Sequence, residues 1–259
     1  MRKYNIDGHI MIAKVDDNSV FFNSKFETAN LSQVFRVPGE SSSPSKPLEK
    51  PETPNSHSTK HQDQRNLPVT AEFNLYLQED TNSDNSLTQW FYFSCFNIKK
   101  GTVMKLNMLN LMKDDSLYSQ GMRPFVYSRR RHIEGDGVQW HREGFNIDYF
   151  YNDKTIKTTS KTLDMEFDSR YVDNQKDKFK KTNTLTFCYE FKYDNDMVFF
   201  THFAPYSYSD VFRYLCKLEV NPRLREFMRI DYICQSLGKV PMYGVTITHD
   251  IENDYLTQE

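Results

Sequence analysis

The chain has 259 residues, more than one average domain and fewer than two large ones, so one substantial domain plus a partial one is expected. Its formal net charge of −2 supplies no global field toward nucleic acid or an anionic membrane, and neither is expected as a partner. Hydrophobic residues make up only 38% of the chain while aromatics reach 15%, so 20 Phe and 16 Tyr must carry the core. These residues favour strands and bury large areas each. The 9 glycines argue against Gly-rich phosphate loops and dinucleotide fingerprints. No apolar run approaches the roughly 20 residues that span a bilayer. The start "MRKYNIDGHIMIAKVDD" lacks an apolar signal core, so no secretory signal is expected. Cys95, Cys188, Cys216 and Cys234 form no CxxC pair. A Cys-rich zinc site is therefore not expected, and reduced thiols in a cytosolic compartment are.

Short apolar clusters, "SVFFNSKF" and "LSQVFRV", occupy residues 1–37. Residues 38–66 hold five of the 10 prolines and no aromatic, so this stretch is expected to be a disordered insertion. His57 and His61 lie inside it at i, i+4. That spacing binds metal only on a formed helix, so both are read as solvated.

Strands follow. Ala71, Phe73, Leu75 and Leu77 alternate with Glu72, Asn74, Tyr76 and Gln78, the period of a half-buried strand. "QWFYFSCFNI" is aromatic on both faces, as a central strand can be. Lys99, Lys100 and Gly101 supply a turn into "TVMKLNMLNLM", and the two runs read as a hairpin. "VQWHREG", "FNIDYFYN", "TLDMEF", "TLTFCYEFKY" and "MVFFTHF" continue the series, with "YDND" at 193–196 turning one strand into the next. Many short strands with turn signals between them predict an antiparallel sandwich.

After Pro205 the period changes. Val211, Phe212, Leu215 and Leu218 form a helical stripe, and Ser207 with Asp210 forms a capping-box pattern. Asn221-Pro222 ends that helix, and "RLREFM" could open a second short one. Two β-rich runs around Leu237-Gly238-Lys239 predict a final hairpin.

Several runs in order carry a resemblance: "FNSKFETANLSQVFRV", "EFNLYLQEDTNS", "QWFYFSCFNIKKGTVMKLNMLNLMKDDSLYSQGMRPFVYS", "VQWHREGFNIDYFYN", "TLTFCYEFKYDNDMVFFTHFAPYSYSDVFRYL" and "LGKVPMYGVTIT". Over residues 20–37 and 70–250 the chain resembles the cytosolic carboxypeptidases, zinc metallopeptidases that trim glutamates from tubulin and other proteins. What it resembles is the β-sandwich domain preceding the family's catalytic domain. Trp90, Trp140, Arg142 and Gly144 fall in these runs as structural positions. The expected fold is mainly β: an antiparallel sandwich, then a helix and a hairpin that begin an incomplete α/β carboxypeptidase domain. The expected plan is 1–37 opening the sandwich, 38–66 as insertion, 67–204 as its body, and 205–259 as the truncated second domain. The family's zinc is held by His-x-x-Glu and a distant third His, beyond the matching stretch. The resemblance thus carries over no catalytic or metal residue, and zinc is expected only in a full-length member.

Four stretches invite a sharper reading. "HDIE" at 249–252 has the form His-x-x-Glu, but no later residue supplies a third ligand, so it is read as a solvated turn. Arg129, Arg130 and Arg131 could bind an acidic tail through bidentate pairs, while Glu134 and Asp136 partly cancel their charge. In "WHREG", Trp140 and Arg142 are expected to share a strand face as a stacked pair. His202, Pro205, Tyr206, Ser207 and Tyr208 read as the hinge between two domains rather than as a catalytic set. The expected role is a folding, docking or substrate-presenting module in the cytoplasm, with a ciliary or microtubule association. Its expected partner is a carboxypeptidase domain or another protein, with tubulin or microtubules as candidates. The alternative is a fragment of an active deglutamylase.

Overall fold

The computed structural model describes residues 5–6, 10–15, 18–38, 64–79, 88–152, 182–249 and 251, with side chains from Ser19 onward. Most of the 38–66 insertion, both of its histidines, and the "TLDMEF" strand expected at 162–167 lie outside the described residues.

The alternating stretch at 71–77 forms strand β5 (Ala71–Leu77), whose odd-numbered residues are buried and whose even-numbered ones are half-exposed. Four strands come before it: β1 (Asn5–Ile6), β2 (Ile10–Val15), β3 (Asn18–Asn23) and β4 (Leu31–Arg36). After it come β6 (Tyr92–Phe96), β7 (Val103–Leu111), β8 (Phe125–Ser128), β9 (His141–Arg142), β10 (Phe145–Tyr151), β11 (Asn183–Glu190) and β12 (Val198–Thr201). They build a seven-stranded sheet in the order β1-β2-β3-β6-β12-β8-β9 and a five-stranded sheet in the order β10-β11-β7-β5-β4. The antiparallel expectation holds for every pairing in these sheets except β5 with β7, which is parallel.

One apolar core joins the two sheets. Phe22 on β3 meets Phe73 on β5 edge to face at 5.1 Å. Phe200 on β12, fully buried, touches Phe187, Tyr189 and Phe191 from the β11 side and Phe93 on β6. This is the aromatic core that the composition requires.

The hairpin expected at 92–111 does not form, because β6 and β7 belong to different sheets. The "YDND" turn likewise carries the chain from β11 in one sheet to β12 in the other. Physically, Phe91, Phe93 and Cys95 must face Met104, Leu106 and Met108 across the core, and a hairpin would set them side by side in one layer. The two crossings brace each other. Gly101 N–H donates to Phe191 O at 2.7 Å, Phe191 N–H to Thr102 O at 2.9 Å, and Asn195 N–H to Ile98 O at 3.0 Å. A third crossing, from β9 to β10, passes through Gly144 at φ 118, a backbone state open to glycine.

The chain divides into two compact units, with one boundary between Ala204 and Pro205. After the short helix α1 (Arg129–Glu134) of the first unit, the second unit holds α2 (Tyr208–Glu219), which starts at Ser207 with both halves of the capping box present. Strands β13 (Met228–Gln235) and β14 (Pro241–Ile247) pair antiparallel as the expected hairpin. Residues 223–227 of "RLREFM" form turns rather than a helix, and Met228 already belongs to β13. Pro222 and the early return into β13 leave it too short to build one.

Phe200→Ala should cost about 3–5 kcal/mol, the usual range for emptying a large buried aromatic site. Urea unfolding measures it, and a loss below about 1 kcal/mol would show that the sheets do not depend on this ring.

Candidate functional site

The arginine triplet opens the six-residue helix α1 (Arg129–Glu134), which follows β8. Ser128 caps it, accepting a hydrogen bond from Arg131 N–H at 3.1 Å. The Ser128 hydroxyl donates to Asp196, and Arg130 N–H donates to Asp196 Oδ1 at 2.9 Å. Asp196 is only 2% exposed, so a buried carboxylate from the "YDND" turn terminates the helix start. Negative charge there is favourable. Nothing local in the sequence shows this, since the partners are 66 and 68 residues apart.

The three arginines have separate fates. Arg130 pairs with Glu134 at 3.3 Å on the helix surface. Arg131 takes Asp136 in two-pronged fashion, Nε to Oδ1 at 3.0 Å and Nη2 to Oδ2 at 2.9 Å. The Arg131 hydrogen bond and the Val138 N–H hold the Asp136 carboxyl down at about 2. Arg129 is exposed at the helix start. The triplet is therefore not three equivalent open cations.

Arg131 also reaches a second cluster. Its Nη1 lies 2.9 Å from His141 Nε2 and 3.5 Å from Glu143 Oε2. His141 Nε2 lies 2.7 Å from Glu143 Oε2, and Lys192 Nζ lies 3.2 Å from Glu143 Oε1. Burial alone would raise the Glu143 carboxyl, but the contact with His141 and the charge of Lys192 outweigh it and hold it below its ordinary range. His141 and Glu143 thus share a contact. Strand β9 is two residues long, and Glu143 already turns toward β10.

That shortness also undoes the expected Trp140–Arg142 pair. Trp140 precedes β9 and packs on Tyr127 at 5.4 Å and Tyr92 at 5.9 Å. The Arg142 guanidinium instead lies over Phe125 at 4.3 Å and Phe203 at 5.5 Å, and donates to the Arg123 carbonyl. Trp90 donates its indole N–H to Thr28 O at 3.0 Å.

Among the hinge residues, His202 belongs to the first unit, and Pro205, Tyr206, Ser207 and Tyr208 to the second. The His202 ring stands edge-on to Phe91 and Tyr118, with Nδ1 3.3 Å from the Tyr118 hydroxyl. Ser207 and Asp210 are engaged with each other in the α2 cap. His249 rests on Phe227 at 6.3 Å, and Asp250 and Glu252 lie outside the described residues. All four cysteines are free thiols. Among the described residues no helix is long and apolar enough to cross a membrane.

These features define a two-sheet β module with an appended helix–hairpin unit and an ion-pair cluster at one edge. No protein-family model matches the chain. It is 30% identical over 234 residues to cytosolic carboxypeptidase 2 of Homo sapiens, covering 90% of this chain and 20% of that protein. It is 32% identical over 237 residues to cytosolic carboxypeptidase 2 of Xenopus tropicalis, covering 92% and 19%. A solved structure, a putative carboxypeptidase A from Shewanella denitrificans, is similar with a TM-score of 0.47 and 15% identity, over 89% of this chain and 40% of that one. The chain belongs to the cytosolic carboxypeptidase family and corresponds to its N-terminal domain. It spans about a fifth of the length of the curated relatives it matches.

A zinc ion of the family's kind needs at least three protein ligands. Among the described residues no group of three or more His, Cys, Asp or Glu is placed to hold a metal. The closest approach, His141 with Glu143, is flanked by Arg131 and Lys192, whose charges oppose a dication. The described residues do not fit a zinc site.

Burial, aided by the charges of Arg142 and Lys113, holds the His202 ring below its ordinary value. The unfolded chain therefore binds this proton more readily than the folded one. The associated stability is complete above about pH 6.5 and is lost as pH falls through the lowered folded value. Urea midpoints should drop between about pH 7.5 and about pH 5, and His202→Gln should show a shallower drop. Equal slopes would remove His202 from this account.

Proposed function

We propose that the chain is the non-catalytic β-sandwich module of a cytosolic-carboxypeptidase-like protein, folding beside a carboxypeptidase domain and helping to dock or present a protein substrate. Glutamylated tubulin or a similarly acidic protein is the substrate class in this reading. The cytoplasm is the place of action, at microtubules or the cilium.

One observation supports it above the rest. In the second unit no residue of α2 is buried, and Val211, Phe212 and Tyr214 stay exposed. On the hairpin, Tyr232, Ile233, Met242, Val245 and Ile247 are exposed too. A two-stranded hairpin is marginal without further packing, and large exposed apolar surface marks an interaction site. The unit is locally well specified and yet uncovered, as a surface completed by further protein would be.

A second reading is that this sequence is one piece of an active zinc metallocarboxypeptidase, a deglutamylase whose catalytic residues lie in the remaining part. The matched relatives are named carboxypeptidases and are about five times longer than the matched stretch, which favours it. Both readings place the catalysis outside the residues described above.

Co-expression with the carboxypeptidase domain of a relative should give co-purification, and Phe212→Asp together with Val245→Asp should abolish it. Failure of the unaltered chain to co-purify would sink the docking reading. Stoichiometric zinc, or carboxypeptidase turnover by the purified 259-residue chain, would overturn its non-catalytic assignment.

For acidic-tail binding, replacing Arg129, Arg130 and Arg131 with Ser should weaken affinity for a glutamylated peptide about fivefold or more at low salt. Unchanged affinity would remove the arginines from substrate docking.

A further inference from the structure

His141 Nε2 stands 2.9 Å from a guanidinium nitrogen of Arg131 and 2.7 Å from a carboxylate oxygen of Glu143. One ring nitrogen cannot satisfy both. Without a proton it accepts from Arg131, and its lone pair faces the carboxylate's lone pairs. With a proton it donates to Glu143, and that proton faces the guanidinium. The other ring nitrogen has no such choice. Nδ1 lies 3.0 Å from the Gln139 carbonyl oxygen, which only accepts, so Nδ1 carries hydrogen in both forms.

We infer that His141 is a proton-operated clasp, held by Arg131 when neutral and by Glu143 when protonated, so that acid loosens α1 from β9 and tightens the β9–β10 crossing.

Charged groups of both signs surround the ring. From α1 and the turn after it come Arg131 and Asp136, joined to each other. From the crossing comes Glu143, and from the turn after β11 comes Lys192 bound to Glu143 Oε1. Tyr189, buried beneath on β11, has its phenol raised by burial and then by Glu143 and Asp196, so it stays neutral. Two cations and two carboxylates balance. When Nε2 gains its proton, Arg131 retains its two-pronged contact with Asp136, and the contact that ties α1 directly to β9 is given up. Histidine is the side chain whose charge ordinarily changes in the physiological pH range. The clasp does not depend on the docking reading above, since it concerns contacts internal to the first unit.

Two-dimensional NMR of the whole chain between about pH 8.5 and about pH 5 tests it. The amides of residues 129–134 should move with the same inflection as the His141 ring signal, and His141→Gln should abolish that inflection. Arg131→Met removes the guanidinium that competes with the proton and should move the inflection to higher pH. Glu143→Gln weakens the protonated state and should move it to lower pH. Each shift should reach about a threefold change in proton concentration at the midpoint. Helix amides that titrate unchanged in His141→Gln would overturn the clasp. So would Arg131→Met and Glu143→Gln moving the inflection in the same direction. If His141→Gln does not fold, the opposed shifts of the other two variants decide the matter.

Discussion

Two sheets share one aromatic core, and the rest of the first unit follows from keeping both faces against it. Phe200 shows the constraint most clearly. From the seven-stranded sheet it meets Phe187, Tyr189 and Phe191 from the five-stranded one. Aromatic rings supply area that the modest aliphatic content cannot, and edge-to-face geometry lets them interlock at about 5–6 Å. A chain committed to that core changes sheets repeatedly, as it does between β6 and β7 and between β11 and β12.

The sheet changes explain features that look incidental in isolation. The crossings at 97–102 and 191–195 hydrogen-bond to each other, so each stabilises the other's unusual backbone, with Asn97, Gly101 and Asn195 at positive φ. Gly144 lies in another crossing, from β9 to β10. Beside it the ion-pair cluster collects groups from α1, β9, the crossing and the turn after β11. The crossing thus brings the β9 edge of one sheet and the turn leaving β11 of the other into reach of one carboxylate, Glu143. Its two oxygens are shared among His141, Arg131 and Lys192, which makes it the junction of the cluster.

The second unit obeys a different constraint. Its elements are specified locally, through the Ser207–Asp210 cap and the Phe212 ring on Tyr243, and need no distant partner to form. Among the described residues the helix contributes nothing to a core, since none of the α2 residues is buried. Local propensity can build a helix and a hairpin, but only enclosure by more chain removes their apolar faces from water. This contrast between complete local specification and incomplete burial underlies the docking reading.

Residue periodicity by itself determined the strand at 71–77, the helix at 208–219 with its cap, the final hairpin and the mainly β class. Each rests on contacts between residues close in sequence, or on a repeat visible within about ten residues. The ordered runs also carried the family resemblance. Only the tertiary structure decided that 92–111 is no hairpin, because sheet membership depends on which distant strand comes alongside. It also decided that Trp140 and Arg142 part company and that Arg131 joins His141 and Glu143. Asp196 capping a helix 66 residues earlier left no local trace. Such contacts depend on where three-dimensional packing closes long loops, and a loop's ends carry no mark of the partner that meets them.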